Sequence, residues 1–304
     1  MDNLKYKSLF KEKYSALEQE AEDLVNLNPP DELISAITEA ARDSKTVRGL
    51  GYLPWVGKNY TTGGMQNKVF FVAESHYAGN SNWNYYDYAC VRLAEFALNK
   101  DLKRDQSEDD NLAYANLLKA INPFSSPEND RPPYDWEKKL REKKQIFANT
   151  VFMNVCQRCV PAGSRPDPED FINGWHAWFK VAKLLKPTLC VCDGVASAKT
   201  RSRHCFNEAM AQIQASPDAT ALNFSYEKSL EGELIGKKGT PVRAHTARVS
   251  IDGNPIEIVW MMHTSLNGRF GLYFEPEEWR KYLEKQPLFK AWEREMKDKF
   301  SYRG

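Results

Sequence analysis

Four short apolar runs divide the chain, and each ends on polar or glycine residues. The first, Lys68-Val-Phe-Phe-Val-Ala73, runs into Glu74-Ser-His-Tyr-Ala-Gly79. The second, Thr150-Val-Phe-Met-Asn154, runs into Val-Cys-Gln-Arg-Cys-Val-Pro161. The third, Thr188-Leu-Cys-Val-Cys192, meets Asp193-Gly194, and the fourth, Ile256 to Met262, meets His263-Thr-Ser-Leu-Asn-Gly268. Apolar runs without alternation predict strands covered on both faces, as in a parallel sheet. Helical patterns lie between them at about 88–99, 111–121, 135–147, 167–186 and 195–214. Strands alternating with helices predict an α/β fold: a three-layer α/β/α sandwich around a central, mainly parallel four-stranded sheet. In such sheets ligands bind beyond the carboxyl ends of the strands, so the polar residues there form the candidate site.

The remaining segments complete the expected organisation. Tyr6 to Val25 carries helical spacing that Pro29-Pro30 ends, and Asp31 caps a second helix through Ala41. Residues 1–48 are thus expected to be a helical appendage and residues 49–304 the α/β domain. Val242–Ile251, Asp252-Gly253-Asn254 and Ile256–Met262 predict a hairpin, because Asp-Gly suits a tight turn. Ser216–Arg243 is polar with scattered glycines and is expected to hold a long loop. Residues 276–298 predict one charged C-terminal helix.

Composition narrows the class. With 42% apolar and 27% charged residues the chain is globular. No apolar run approaches the roughly 18–20 residues that cross a bilayer, and Met1 to Lys13 has no signal-peptide core, so a cytoplasmic protein without membrane contact is expected. Six Cys do not make a disulfide scaffold and fit a reducing compartment. Lys+Arg 42 against Asp+Glu 41 excludes a strongly basic binder but leaves room for a locally basic face. Cys190 and Cys192 share one face of a buried strand and read as small core residues. Cys156 and Cys159 form a Cys-x-x-Cys, but zinc would need two further ligands nearby, so no metal is assigned.

From about Lys68 to Phe270 the chain resembles the uracil-DNA glycosylase superfamily. Val69 to Tyr77 is similar to its first catalytic motif. Val151 to Pro161, followed by Ala-Gly-Ser-Arg-Pro166, is similar to the Asn-bearing strand and Pro-rich loop of the bacterial and archaeal branch. Leu185 to Ser197 resembles the third strand opening a helix, and Val259-Trp-Met-Met-His-Thr-Ser-Leu266 resembles the final His-Pro-Ser motif. The chain departs from that pattern at Ala73 in place of Gly, Ser75 in the water-positioning slot and Thr264 in place of Pro. It has no Cys before Cys90, so the iron–sulfur cluster of that branch is not implied.

The resemblance implies a monofunctional DNA glycosylase with no cofactor, which flips a base from DNA and hydrolyses its N-glycosidic bond to leave an abasic site. Uracil or a modified pyrimidine is the implied substrate. An antiviral glycosylase removing a bulky modified cytosine from bacteriophage DNA is the alternative within that chemistry. A catalytically inactive DNA-binding relative is the alternative outside it. The two classes part on whether Glu74, Asn154 and His263 converge.

The residue types suit the reaction. Asn154 presents one acceptor and two donors to a pyrimidine edge, or else closes a strand-end turn. His263, as a neutral imidazole, could donate to the departing base oxygen, or else be satisfied by backbone. Glu74 could hold water or stabilise the cationic sugar, or else brace a loop. Ser75, His76 and Tyr77 follow as substrate contacts, with Tyr77 in a position that walls the pyrimidine C5 edge in some branches. Tyr85, Tyr86 or Tyr88 could stack on the base. Leu266 could fill the gap left by the base. Ser265, Arg269, Ser197, Lys199 and Arg201 are candidate DNA contacts, their bland alternative being a solvated helix face and loop.

Overall fold

The computed structural model describes residue 32 and residues 54–74, 76–78, 108–125, 136–161, 165–193, 201–264 and 271–300. Their elements run β1 (Trp55–Val56), β2 (Val69–Ala73), β3 (His76–Ala78), α1 (Glu108–Ile121), α2 (Trp136–Ala148), β4 (Thr150–Asn154) and β5 (Cys159–Pro161). There follow α3 (Pro168–Leu185), β6 (Leu189–Asp193), α4 (Arg201–Gln214), α5 (Pro217–Ala221), β7 (Ser225–Ile235), β8 (Val242–Ile251), β9 (Asn254–Met261), α6 (Pro276–Leu283) and α7 (Pro287–Phe300). The α/β class is as expected. Apart from Glu32, which is helical, the expected appendage 1–48 lies outside the described residues, as does the helical pattern at 88–99.

The sheet is larger than expected. It has seven strands in the order β1-β4-β2-β6-β9-β8-β7 and is mixed rather than four-stranded. β4, β2, β6 and β9 run parallel at its centre. β1 adds antiparallel to β4, and β8 and β7 extend the other edge in antiparallel steps. The predicted Asp252-Gly253 turn joins β8 to β9, with φ of 51° and 74°, the left-handed pair that a two-residue hairpin turn requires. β3 and β5 form a separate parallel pair, with His76 opposite Cys159 and Tyr77 opposite Val160. The chain segments that leave β2 and β4 are thus tied together by a second, two-stranded sheet.

Alternation along each strand builds two cores. Phe71, Phe152, Val191 and Val259 face α1, α2, α6 and α7, in a cluster with Ile121, Phe147, Leu283 and Trp292. Phe70, Val72, Met153, Cys190, Cys192 and Trp260 face α3 and α4. There Trp175, Trp260 and Phe206 pack edge to face at centroid distances of 5.0 to 6.2 Å, each pair contributing about 0.5–1.5 kcal/mol beyond area burial. Cys190 and Cys192 are fully buried with their sulfurs 3.7 Å apart, in line with the core reading.

Two expectations are corrected. Ser216–Arg243 is not a long loop: it holds α5 and the eleven-residue edge strand β7. An edge strand pairs on one side only, and just Ile235 of β7 is buried, so its sequence is polar like a loop's. The C-terminal helix is two helices, broken at residues 284–286, with Pro287 opening the second. A proline cannot donate into a preceding helical turn but fits the first position of a new one.

Candidate active site

The carboxyl ends of the four parallel strands carry four neighbouring polar groups. Asn154 closes β4 and pairs in register with Ala73, the residue before Glu74. Asp193 closes β6, opposite Met261 of β9, two residues before His263. Glu74, Asn154 and Asp193 are all buried and His263 is half-buried. Burying polar side chains together costs free energy unless they bond to one another or serve a ligand. Apart from Thr150 in β4 and Asn254 and Glu257 in β9, the rest of these strands is apolar, so the buried polar groups at their carboxyl ends mark the site.

Backbone pairing continues past the strands and fixes this end. Val155 donates its N–H to Ala73 O at 2.8 Å, and Cys156 donates to Glu74 O at 3.0 Å. Gln157, itself buried, donates from Nε2 to Asn154 O. Glu74 and Asn154 therefore sit side by side on a braced turn, not on a free loop.

Asp193 and Thr264 form the other half. Thr264 donates its backbone N–H to one carboxylate oxygen of Asp193 and its hydroxyl to the other, both at 2.8 Å. Asn116 of α1 donates from Nδ2 to Thr264 O, also at 2.8 Å. Thr264 is fully buried. A proline in its place could make neither bond to Asp193, so the threonine that follows His263 is matched by a partner on the neighbouring strand.

The electrostatics couple the groups. Burial pushes the Glu74 carboxyl above the usual range; His263 and Arg165 oppose this and Asp193 adds to it. Burial also raises the Asp193 carboxyl, against the pull of His263 and the two hydrogen bonds from Thr264. Two acids and an imidazole thus share one field. Burial holds the Cys156 thiol up at about 12, so it is neither thiolate nor a ready metal ligand at neutral pH.

Of the expected catalytic set, Glu74, Asn154 and His263 all stand at this end of the sheet, and His263 pulls the Glu74 carboxyl down against its burial. His76 and Tyr77 are placed in β3 by their backbone only. Arg201 opens α4, with its side chain outside the described set. Ser75, Tyr85, Tyr86, Tyr88, Ser197, Lys199, Ser265, Leu266 and Arg269 lie outside the described residues. Sequence reasoning placed Asp193 at a strand end without giving it a role, and passed over Asn116 and Arg165 as site residues. The available signal for Asp193 was a buried strand ending on a carboxylate.

Compared with family models, curated proteins and solved structures, the chain matches none. No helix among the described residues is long and apolar enough to cross a membrane.

Proposed function

We propose that this protein is a DNA glycosylase that flips a pyrimidine out of DNA and hydrolyses its N-glycosidic bond. The observation that supports this most is the cluster of Glu74, Asn154, Asp193 and His263 at the carboxyl ends of four adjacent parallel strands. The similarity of the motifs around them to the uracil-DNA glycosylase superfamily suggests the reaction.

The chemistry follows from what each group can do. As the bond between C1′ and the base nitrogen breaks, its electron pair leaves with the base and positive charge builds on the sugar. Asn154 reads the base edge with a donor and an acceptor. His263 donates to the base oxygen on which negative charge develops. Glu74 as carboxylate faces the cationic sugar and holds water, whose oxygen bonds to C1′ while its proton passes to the carboxylate and then to the released base. Ser75 has no basic form at neutral pH; of Glu74, His76 and Asp87, the buried carboxylate of Glu74 at the strand end is the one we assign to water.

A bulky modified cytosine needs pocket space that a long loop over residues 216–243, or residues 79–84, which lie outside the described set, would supply. Residues 216–243 are α5 and a paired strand and offer no such loop, and the choice of base rests with the assay. Purified protein incubated with uracil-containing duplex, and in parallel with DNA carrying modified cytosines, is expected to produce abasic sites in one of them. His263→Ala is expected to lower that rate by roughly 10²–10³-fold, the effect of removing one oxyanion donor. DNA binding without abasic sites in either substrate would overturn the proposal in favour of a non-catalytic binder.

A further inference from the structure

We infer that Asp193 is the positioning residue of the site: its carboxylate grips Thr264 at two points and sets the adjacent imidazole of His263 over the leaving base. The inference rests on the glycosylase reading and extends it to a residue outside the expected catalytic set.

The geometry is specific. Asp193 ends β6 and Thr264 follows β9, the strand paired with β6 in parallel register. Both carboxylate oxygens are engaged, one by the Thr264 N–H and one by its hydroxyl, at 2.8 Å each. The Thr264 carbonyl is held from the other side by Asn116. The backbone on the C-terminal side of His263 therefore has its donor, hydroxyl and acceptor all fixed. A reacting side chain gains most when its neighbours lock the backbone that carries it. The same carboxylate also faces the imidazole electrostatically, together with Glu74, while Arg165 faces Glu74. One group thus supplies both the position of the donor and part of the field it works in.

Asp193→Asn separates the two contributions. An asparagine can still accept from the Thr264 N–H and can donate from Nδ2 to the Thr264 oxygen, so the grip persists while the charge is lost. In single-turnover base release, the maximal rate is expected to fall roughly 10- to 100-fold with the half-saturating DNA concentration little changed, the range reached when an outer-shell partner of a reacting group is altered, here by loss of its charge with the grip kept. The acid limb of the pH–rate profile is expected to move to lower pH, because Asp193 no longer raises the Glu74 carboxyl. A purely structural role would not move that limb. Thr264→Ser is expected to keep activity and Thr264→Val to lose part of it.

A second measurement is independent of substrate and of the variant's stability. The Asp193 carboxyl carbon is titrated by NMR in the unaltered protein and in His263→Ala, where its midpoint is expected to rise. An unmoved midpoint, or an Asp193→Asn protein with unchanged maximal rate and acid limb, overturns the inference. If the unaltered protein releases no base, the glycosylase reading falls, and the carboxyl titration alone decides whether Asp193 and His263 are coupled.

Discussion

Arg158 and Asp170 join the turn that follows Asn154 to the first turn of α3. The guanidinium meets both carboxylate oxygens, through Nε and through Nη2 at 2.6 Å. Asp170 is buried and also accepts the Asp167 N–H at 2.8 Å, within a reciprocal cap that starts the helix. One residue of a helix cap thus anchors the loop that carries the proposed base reader. The pairing raises the Arg158 guanidinium above its ordinary value, so the arginine is charged at every working pH.

Removing Arg158 leaves the Asp170 carboxylate buried without its cation. Arg158→Met is expected to destabilise the fold by about 3 kcal/mol, the low end for breaking a buried pair, because the arginine keeps slight exposure. Urea unfolding checks this. A loss below about 1 kcal/mol would mean the pair behaves as a surface bridge.

Gly174 sets how closely α3 approaches the same turn. A Cβ built there would lie 1.7 Å from Val155 O, the residue after Asn154. The helix rests directly on backbone, which no rotamer change relieves. Gly174→Ala is expected to cost about 3 kcal/mol and to reduce base release, since α3 must lift or the turn must move. Gly253→Ala is the contrast: its Cβ meets nothing within 4 Å, and only the positive φ is strained, for about 1 kcal/mol. Equal losses in the two variants would sink the close-approach argument.

The difference between what could and could not be read from the chain has physical causes. The central strands were legible because burial on both faces demands unbroken apolar runs, as in Val69–Ala73 and Leu189–Asp193. The β8–β9 turn was legible because its backbone geometry restricts the residues that fit. β7 was not, because an edge strand with an exposed face has no such demand: Leu230 and Leu234 are exposed within it. At the site, Glu74, Asn154 and His263 could be named from their place after strands. Asp193 could not be assigned its partner, because its bond to Thr264 spans 71 positions and depends on the register of β6 against β9.

The C-terminal helix is fastened to the start of β2 by one carboxylate. Glu295 of α7 accepts from the backbone N–H of Gln66 at 2.8 Å and of Asn67 at 3.0 Å, and from Asn67 Nδ2 at 3.2 Å. Burial raises its carboxyl, but these bonds and Lys299 outweigh it, leaving the group below the usual range. Glu295→Ala is expected to destabilise the protein by about 2 kcal/mol, and Glu295→Gln by about half that, since the amide keeps one acceptor. Calorimetric unfolding at neutral pH checks both. Equal effects of the two substitutions would mean that the charge, and not acceptor count, holds the helix.

His245 gives the fold a defined acid sensitivity. It lies on β8, paired with Trp260 on β9 and with Glu231 on β7. The Arg203 guanidinium of α4 donates to its Nδ1, so that nitrogen is the acceptor of a neutral ring. Burial and the Arg203 charge push its pKa from 6.5 to about 4, against the opposing pull of Glu231 and a backbone hydrogen bond with Leu230. In the unfolded chain the imidazole takes up a proton below about 6.5, its unperturbed value. In the folded chain it stays neutral down to about 4. Between those values the unfolded state binds more protons, so stability falls as pH falls through the window. The contribution is fully present above about 6.5. Urea unfolding from pH 7 to 5 is expected to show a declining free energy, and His245→Gln a flatter profile from a lower starting value. An identical slope in His245→Gln would place the acid sensitivity on another group, and not on Glu74 or Asp193, whose carboxyls are raised in the folded chain and act in the opposite sense.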